Sequence, residues 1–272
     1  MKHLLRNNRK NVVALLFAVF SWWWPHTPGH TAPASFFYFC PDSPQNNFTR
    51  LKEAMDALLT EGGFSYSFQA FAHFKDFERQ VRDDPPGFLL LPEWYLRQKD
   101  NAGRFKPILV PLRQGVSTYR KALLVSVDSD LTLAKLADAT IAMTPVGQEG
   151  MTMLNEVIFK THGLNGDKLK FIYTAKDYDA LFALALRQVQ AALVAVDNME
   201  YVERINPKIV SAVKILAVSE PIPRPLICYD KNAVPAADVE KLKTFLLAGK
   251  QNEKTAKIME MLQIDAWQVY SY

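Results

Sequence analysis

The chain has 272 residues, 49% hydrophobic and 22% charged, which suits a globular protein long enough for a large core or two lobes and excludes a fibrous, collagen-like or disordered chain. Four of the 32 basic residues and none of the 28 acidic ones fall within residues 1–34, so the rest of the chain carries 28 of each and has no formal net charge. The +4 of the whole chain therefore belongs to that segment and is no argument for nucleic-acid binding.

Residues 1–34 read as a secretory signal peptide. Lys2, Arg6, Arg9 and Lys10 make a positive start, residues 12–24 form a thirteen-residue apolar stretch, and Ala32-Pro33-Ala34 supplies small residues for cleavage after Ala34. Thirteen apolar residues are too few to span a bilayer. Cys40 follows Phe36-Phe37-Tyr38-Phe39 rather than a small-residue box, so it does not read as a lipid attachment site. Export places Cys40 and Cys228 in an oxidising compartment, where they either form a disulfide or stay as two buried thiols in a core. Only His73 and His162 follow the leader, and no Cys/His spacing fits zinc, so neither a metal nor another cofactor is expected.

Beyond the leader, strand and helix alternate. Residues 35–40 form a fully apolar strand. Pro41-Asp42-Ser43-Pro44 turns it into an amphipathic helix over 48–59, stopped by Gly62-Gly63. Residues 64–71 are a strand, 73–81 a helix, 83–87 a strong turn and 87–91 an apolar strand; Pro92 then starts a short helix at Glu93-Trp94-Tyr95. A strand over 105–112 completes a region that predicts a largely parallel, doubly wound lobe. Residues 119–127 read as one buried strand, 131–137 as a short helix, 140–143 as a strand and 144–147 as a tight turn, with a helix over 151–162 ended by Gly163. Strands at 169–173, 191–196, 213–218 and 226–229 follow, with helices at 177–187, 197–204 (capped by Asp197), 235–247 and 253–262.

Tyr119-Arg120 on a strand, the Leu133-Ala134-Lys135-Leu136 helix, a short strand and a glycine-containing turn resemble the phosphate/phosphonate-type periplasmic substrate-binding proteins of ABC importers. The resemblance runs on through 177–194 and 219–230 into the paired C-terminal helices. It implies the type II periplasmic-binding-protein fold: two doubly wound α/β lobes, 35–120 with 219–272 and 121–218, joined by a two-strand hinge whose returning half is Ser219–Pro225. It also implies a periplasmic monomer that captures a small ligand between the lobes and delivers it to an ABC permease. The cleft loops would be 40–44, 91–95, 144–150, 173–177 and 196–198.

The candidate ligand-binding residues follow from those loops. The family turn usually reads Gly-Ser-Thr-Ser-Gly, suited to an oxyanion on a helix N-terminus. Here it reads Val146-Gly147-Gln148-Glu149-Gly150, so hydroxyls are missing and Glu149 puts a carboxylate where a phosphoryl group would sit or simply favours the helix start. The family's Ser-His loop is matched by Thr174-Ala175-Lys176. Glu93, Trp94 and Tyr95 suit a cationic or stacked ligand, unless Trp94 packs beneath the cleft and Glu93 faces water. Tyr119 and Arg120 match the family's Tyr-Arg strand, where the arginine meets an anion or braces the hinge. Asp42 and Ser43 either line the cleft or cap the following helix; Asp197 matches the family's acidic residue after an alanine-rich strand. No P-loop, G-x-G-x-x-G or G-x-S-x-G is present, so a binding protein is expected rather than an enzyme, with a Glu93/Glu149 acid/base pair as the enzymatic alternative. A protein that keeps the fold but signals to a membrane sensor is the other alternative.

Overall fold

The structure is a computed structural model and describes residues 34–271 apart from 46 and 102. The expected signal peptide, save Ala34, lies outside the described residues. The strands are β1 (Ala34–Tyr38), β2 (Tyr66–Ala70), β3 (Phe88–Leu91), β4 (Phe105–Leu112), β5 (Thr118–Tyr119), β6 (Lys121–Ser126), β7 (Thr140–Met143), β8 (Lys170–Tyr173), β9 (Ala191–Ala195), β10 (Val213–Val218), β11 (Ile222–Pro223), β12 (Leu226–Asp230) and β13 (Ala266–Val269). The α-helices are α1 (Phe48–Glu61), α2 (Phe74–Asp83), α3 (Gly147–Leu154), α4 (Asp177–Ala185), α5 (Val196–Ile205), α6 (Pro207–Ser211), α7 (Ala236–Leu247) and α8 (Glu253–Leu262).

Two sheets carry the fold, a six-stranded one in the order β13-β4-β12-β3-β1-β2 and a five-stranded one in the order β10-β6-β9-β7-β8. A third, two-stranded ribbon pairs β5 with β11, Tyr119 opposite Ile222, where the chain passes between them in each direction. This is the two-lobed α/β architecture expected. The sheets are mixed, however, not largely parallel. β1 pairs in parallel with β2 and β3, but the returning β12 enters antiparallel between β3 and β4, and β13 adds antiparallel to β4. A strand arriving from the other sheet runs against its neighbours, which periodicity along the chain does not reveal.

Side-chain alternation sorts the apolar strands into three cores. Phe36, Tyr38, Phe88, Leu90 and Ile227 face α1, α7 and α8. Their neighbours Phe37, Phe39, Leu89, Leu91 and Cys228 face the opposite way, into a core shared with Leu123, Val125, Ile141, Met143 and Leu193 of the five-stranded sheet. Ala122, Leu124, Ala192 and Val194 pack against Leu181 and Leu184 of α4. The middle core joins the two sheets through apolar contact, so the interior between them is largely filled.

Other boundaries move for local reasons. The expected strand over 119–127 breaks at Arg120, whose guanidinium bonds the Ser219 carbonyl at the ribbon. The helix expected from Met151 begins at Gly147 and passes through a π-turn (Asn155–Phe159) before ending at left-handed Gly163. Asp197 lies inside the first turn of α5 and not at its cap, which is Ala195. Cys40 and Cys228 are both buried and free.

Candidate functional site

The candidate site is built where β1, β6, β7 and the starts of α4 and α5 meet. The Pro41–Pro44 turn after β1 is closed by Ser43 N donating to the Cys40 carbonyl at 3.0 Å, and it projects Asp42 toward the five-stranded sheet. Asp42 does not cap α1; the Asn47 side chain does, accepting from Arg50 N. Instead the Asp42 carboxylate is the acceptor for three side chains. Tyr119 Oη donates to Oδ2 at 2.8 Å, and Lys121 Nζ and Thr144 Oγ1 donate to Oδ1 at 2.7 and 2.8 Å. Asn198 Nδ2 donates to the Asp42 carbonyl at 2.9 Å.

Lys121 opens β6 and is only 1% exposed, which a lysine tolerates only when paired. Its second partner is Asp177, the fully buried first residue of α4, with Nζ 3.0 Å from Oδ1. Asp177 Oδ2 accepts from Ala195 N at 2.6 Å and Asn198 Nδ2 at 2.8 Å. One ammonium is thus shared by two carboxylates. Burial opposes the Lys121 charge, yet the charges of Asp177 and Asp42 and their hydrogen bonds hold its pKa above the ordinary value. For Asp42 burial is likewise outweighed, by Lys121 first and then by the hydrogen bonds, and its carboxyl is held below the usual range. Asp177 goes the other way: burial dominates over Lys121, the Asp42 charge adds to it, and its pKa is pushed up to about 6. Burial and the Asp42 carboxylate also raise the Tyr119 phenol well above its ordinary value, so it stays a donor.

Beside this cluster lies a cavity of about 70 Å³, lined from both sheets by Asp42, Ser43, Tyr119, Arg113, Asp197 and Arg224 and floored by Tyr38, Pro111 and Trp267. Asp197 Oδ2 holds Arg224 Nη1 at 2.6 Å and Arg113 Nη1 at 3.2 Å, while Arg113 Nη2 also meets Glu200. The volume suits a handful of waters or a small headgroup.

Of the residues expected to bind, the structure brings Asp42, Ser43, Tyr119 and Asp197 together on this cavity. The others lie elsewhere. Trp94 and Tyr95 are buried beneath the loop, Trp94 edge-on to Phe74 with ring centroids 5.5 Å apart, and Glu93 meets Arg97 at 3.4 Å. Gly147 has φ +64°, and a Cβ there would stand 2.8 Å from the Phe74 ring; a Cβ on Gly150 would meet Val146 at 2.6 Å and the Trp94 ring at 3.2 Å. These two glycines therefore let α3 pack closely on aromatic residues of the other half. Gln148 is exposed and Glu149 partly so in the first turn of α3. Thr174 Oγ1 donates to the Lys176 carbonyl. Lys121, Thr144, Asp177 and Asn198 were not among the expected binding residues, although the last three fall within the expected cleft loops. A lysine opening an otherwise apolar strand, Lys121-Ala122-Leu123-Leu124-Val125, is a signal that could have singled out one of them and was not used. Among the described residues no cluster of metal-ligating side chains occurs, and no helix is long and apolar enough to cross a membrane.

Residues 37–271 match the profile of one protein family, described as ABC transporter, phosphonate, periplasmic substrate-binding protein. No curated protein matches the chain. Among solved structures, the chain is similar to a binding-protein component of an ABC phosphonate transporter from Pseudomonas aeruginosa, with a TM-score of 0.71 at 16% identity over 87% of this chain and 81% of that one. It is also similar to PhnD1 from Prochlorococcus marinus in complex with methylphosphonate (TM-score 0.68, 10% identity, 88% and 92% covered). A Xanthomonas citri protein bound to ATP gives 0.66 at 11% identity, with 89% and 92% covered. At such identities these likenesses speak to the fold.

Proposed function

Because the chain belongs to the family of phosphonate-type periplasmic substrate-binding proteins of ABC transporters, we propose that it is an exported monomer that captures a small solute in the cavity beside Asp42 and presents it to an ABC permease. The lobes of this reading are 35–120 with 219–272 and 121–218, which agrees with the membership of the two sheets and the ribbon between them. The observation that carries the reading is the cavity itself, to which both sheets contribute lining residues (Asp42, Tyr38 and Trp267 from one half, Ala195 and Asp197 from the other). A solute held there would bind in the manner of a hinged two-lobed receptor.

The solute we propose has an apolar body and a small polar head. Tyr38, Pro111, Pro225 and Trp267 offer the apolar surface, and the Asp197, Arg113 and Arg224 group offers the polar edge. An ordinary phosphonate is disfavoured, since the Gly147–Gly150 turn has no hydroxyl and its glycines support Phe74 and Trp94. A thermal-shift screen of the exported protein against amino acids, amines, small carboxylates, phosphate and alkylphosphonates tests this. A raised melting temperature with an amphiphilic solute, lost in Asp197→Ala, supports it. Stabilisation by alkylphosphonates alone contradicts the solute assignment.

A second reading is a protein that senses or signals to a membrane partner. It is favoured by the small volume of the cavity and by the filling of the cleft with Phe74 and Trp94. Crosslinking in intact cells separates the two: capture of a permease supports transport, and capture of a sensor protein supports signalling.

A further inference from the structure

Tyr119, Lys121 and Thr144 aim their donors at one carboxylate that this chain supplies itself. Tyr119 and Thr144 each have a single hydroxyl hydrogen, and both hydrogens go to Asp42. Lys121 divides its ammonium between Asp42 and Asp177. An oxyanion entering the cavity would therefore find these donors occupied and would face the Asp42 carboxylate, which lines the same space. A tethered carboxylate also competes at a high effective concentration, which a free solute must overcome.

We propose that Asp42 is a built-in counter-anion that determines the specificity of the cleft: its carboxylate takes the position of an anionic headgroup, so the wild-type protein refuses small oxyanions, and removing it turns Tyr119, Lys121 and Thr144 into an oxyanion site. This rests on the reading that the space between the two sheets is the ligand cleft. The chemistry is that of a phosphate or phosphonate oxygen, which accepts charge-assisted hydrogen bonds of the same kind and length as a carboxylate does. Deleting the Asp42 side chain joins its volume to the adjoining cavity of about 70 Å³. Lys121 keeps Asp177 as its counter-charge, so the variant does not strand a lone buried ammonium.

The test is calorimetric titration of the exported protein and its Asp42→Ala variant with inorganic phosphate and with methylphosphonate. The expected result is no measurable binding by wild type and binding by D42A that is tighter by about a hundredfold or more. Asp42→Asn, which retains an acceptor oxygen in place, stays non-binding, and adding Thr144→Val to D42A weakens the acquired affinity by about tenfold, the worth of one charge-assisted hydrogen bond. If D42A does not fold alone, phosphate restores its native circular dichroism; a variant that stays unfolded in millimolar phosphate overturns the proposal. Wild type that binds either anion as tightly as D42A also overturns it. A folded D42A that ignores both anions, while wild type takes another solute in the screen, refutes the role of Asp42 and leaves the cleft reading standing. A crystal structure of D42A with the anion away from both Tyr119 and Lys121 refutes both.

Discussion

Asp42 Oδ1 and Lys121 Nζ lie 2.7 Å apart, although the first follows a strand of the six-stranded sheet and the second opens a strand of the five-stranded one. The contact ties the two halves together next to the ribbon, and the Lys121 backbone is fixed there as well, its N–H bonded to Ser219 Oγ at 2.9 Å and its carbonyl to Ser219 N at 2.8 Å.

Breaking this pair from the cationic side strands two carboxylates in a buried place. Lys121→Ala is expected to lower the unfolding free energy at neutral pH by roughly 3–5 kcal/mol, whereas Asp42→Asn, which leaves Lys121 paired with Asp177, costs about 1–2 kcal/mol. Urea unfolding followed by circular dichroism measures both. Equal losses would mean that the two carboxylates share the ammonium differently from the geometry described here.

Asp177 gives stability a distinctive pH slope. Its pKa in the folded protein is about 6, above the unfolded value of 3.8, so between those values the folded state keeps a proton that the unfolded state has lost. Its contribution is greatest below pH 4 and falls as pH rises to about 6, by up to roughly 3 kcal/mol. Asp42 has the opposite sign: its depressed pKa gives stability that is full above about pH 4 and lost as the pH falls further. Denaturant midpoints for wild type should fall from pH 4 to 6, and Asp177→Asn should flatten that interval.

The turn glycines can be separated into a backbone cost and a packing cost. Gly103 has φ +77° with nothing within 4 Å of a Cβ, while Gly147 has φ +64° and the Phe74 ring 2.8 Å away. Gly103→Ala is expected to cost about 1 kcal/mol and Gly147→Ala about 2–4 kcal/mol, the difference being the displaced aromatic ring. Melting temperatures of the two variants decide it. Equal shifts would remove the packing role of Gly147.

Both thiols should be inert in the native protein. Cys228 is fully buried and Cys40 nearly so, and burial pushes both pKa values well above the ordinary thiol range. A thiol reagent should titrate two groups after denaturation and neither over minutes under native conditions. Absence of thiols in denatured protein would reveal a disulfide instead.

Much of the fold was legible because its strands are buried on both faces. Phe36–Phe39 and Phe88–Leu91 are apolar at every position, and their lengths between turn residues mark them as strands. β13 was not legible: Ala266–Val269 has one buried side chain, Trp267, and becomes a strand through its pairing with β4. Half of the site followed the same division. Asp42, Tyr119 and Asp197 sit beside recognisable strand ends, but the partnership of Lys121 with Asp177 joins residues 56 apart and leaves no local pattern.

By itself the sequence determined where strands and helices alternate, because apolar periodicity and turn chemistry act over a few neighbouring residues, while the two lobes were implied by the family resemblance of its motifs. The tertiary structure alone decided which polar groups meet. The antiparallel return of β12, the close approach of Gly147 to Phe74 and the sharing of one lysine by Asp42 and Asp177 all depend on chain crossings distant in sequence. A buried charge is stable only where its partners converge, and that convergence belongs to the assembled fold.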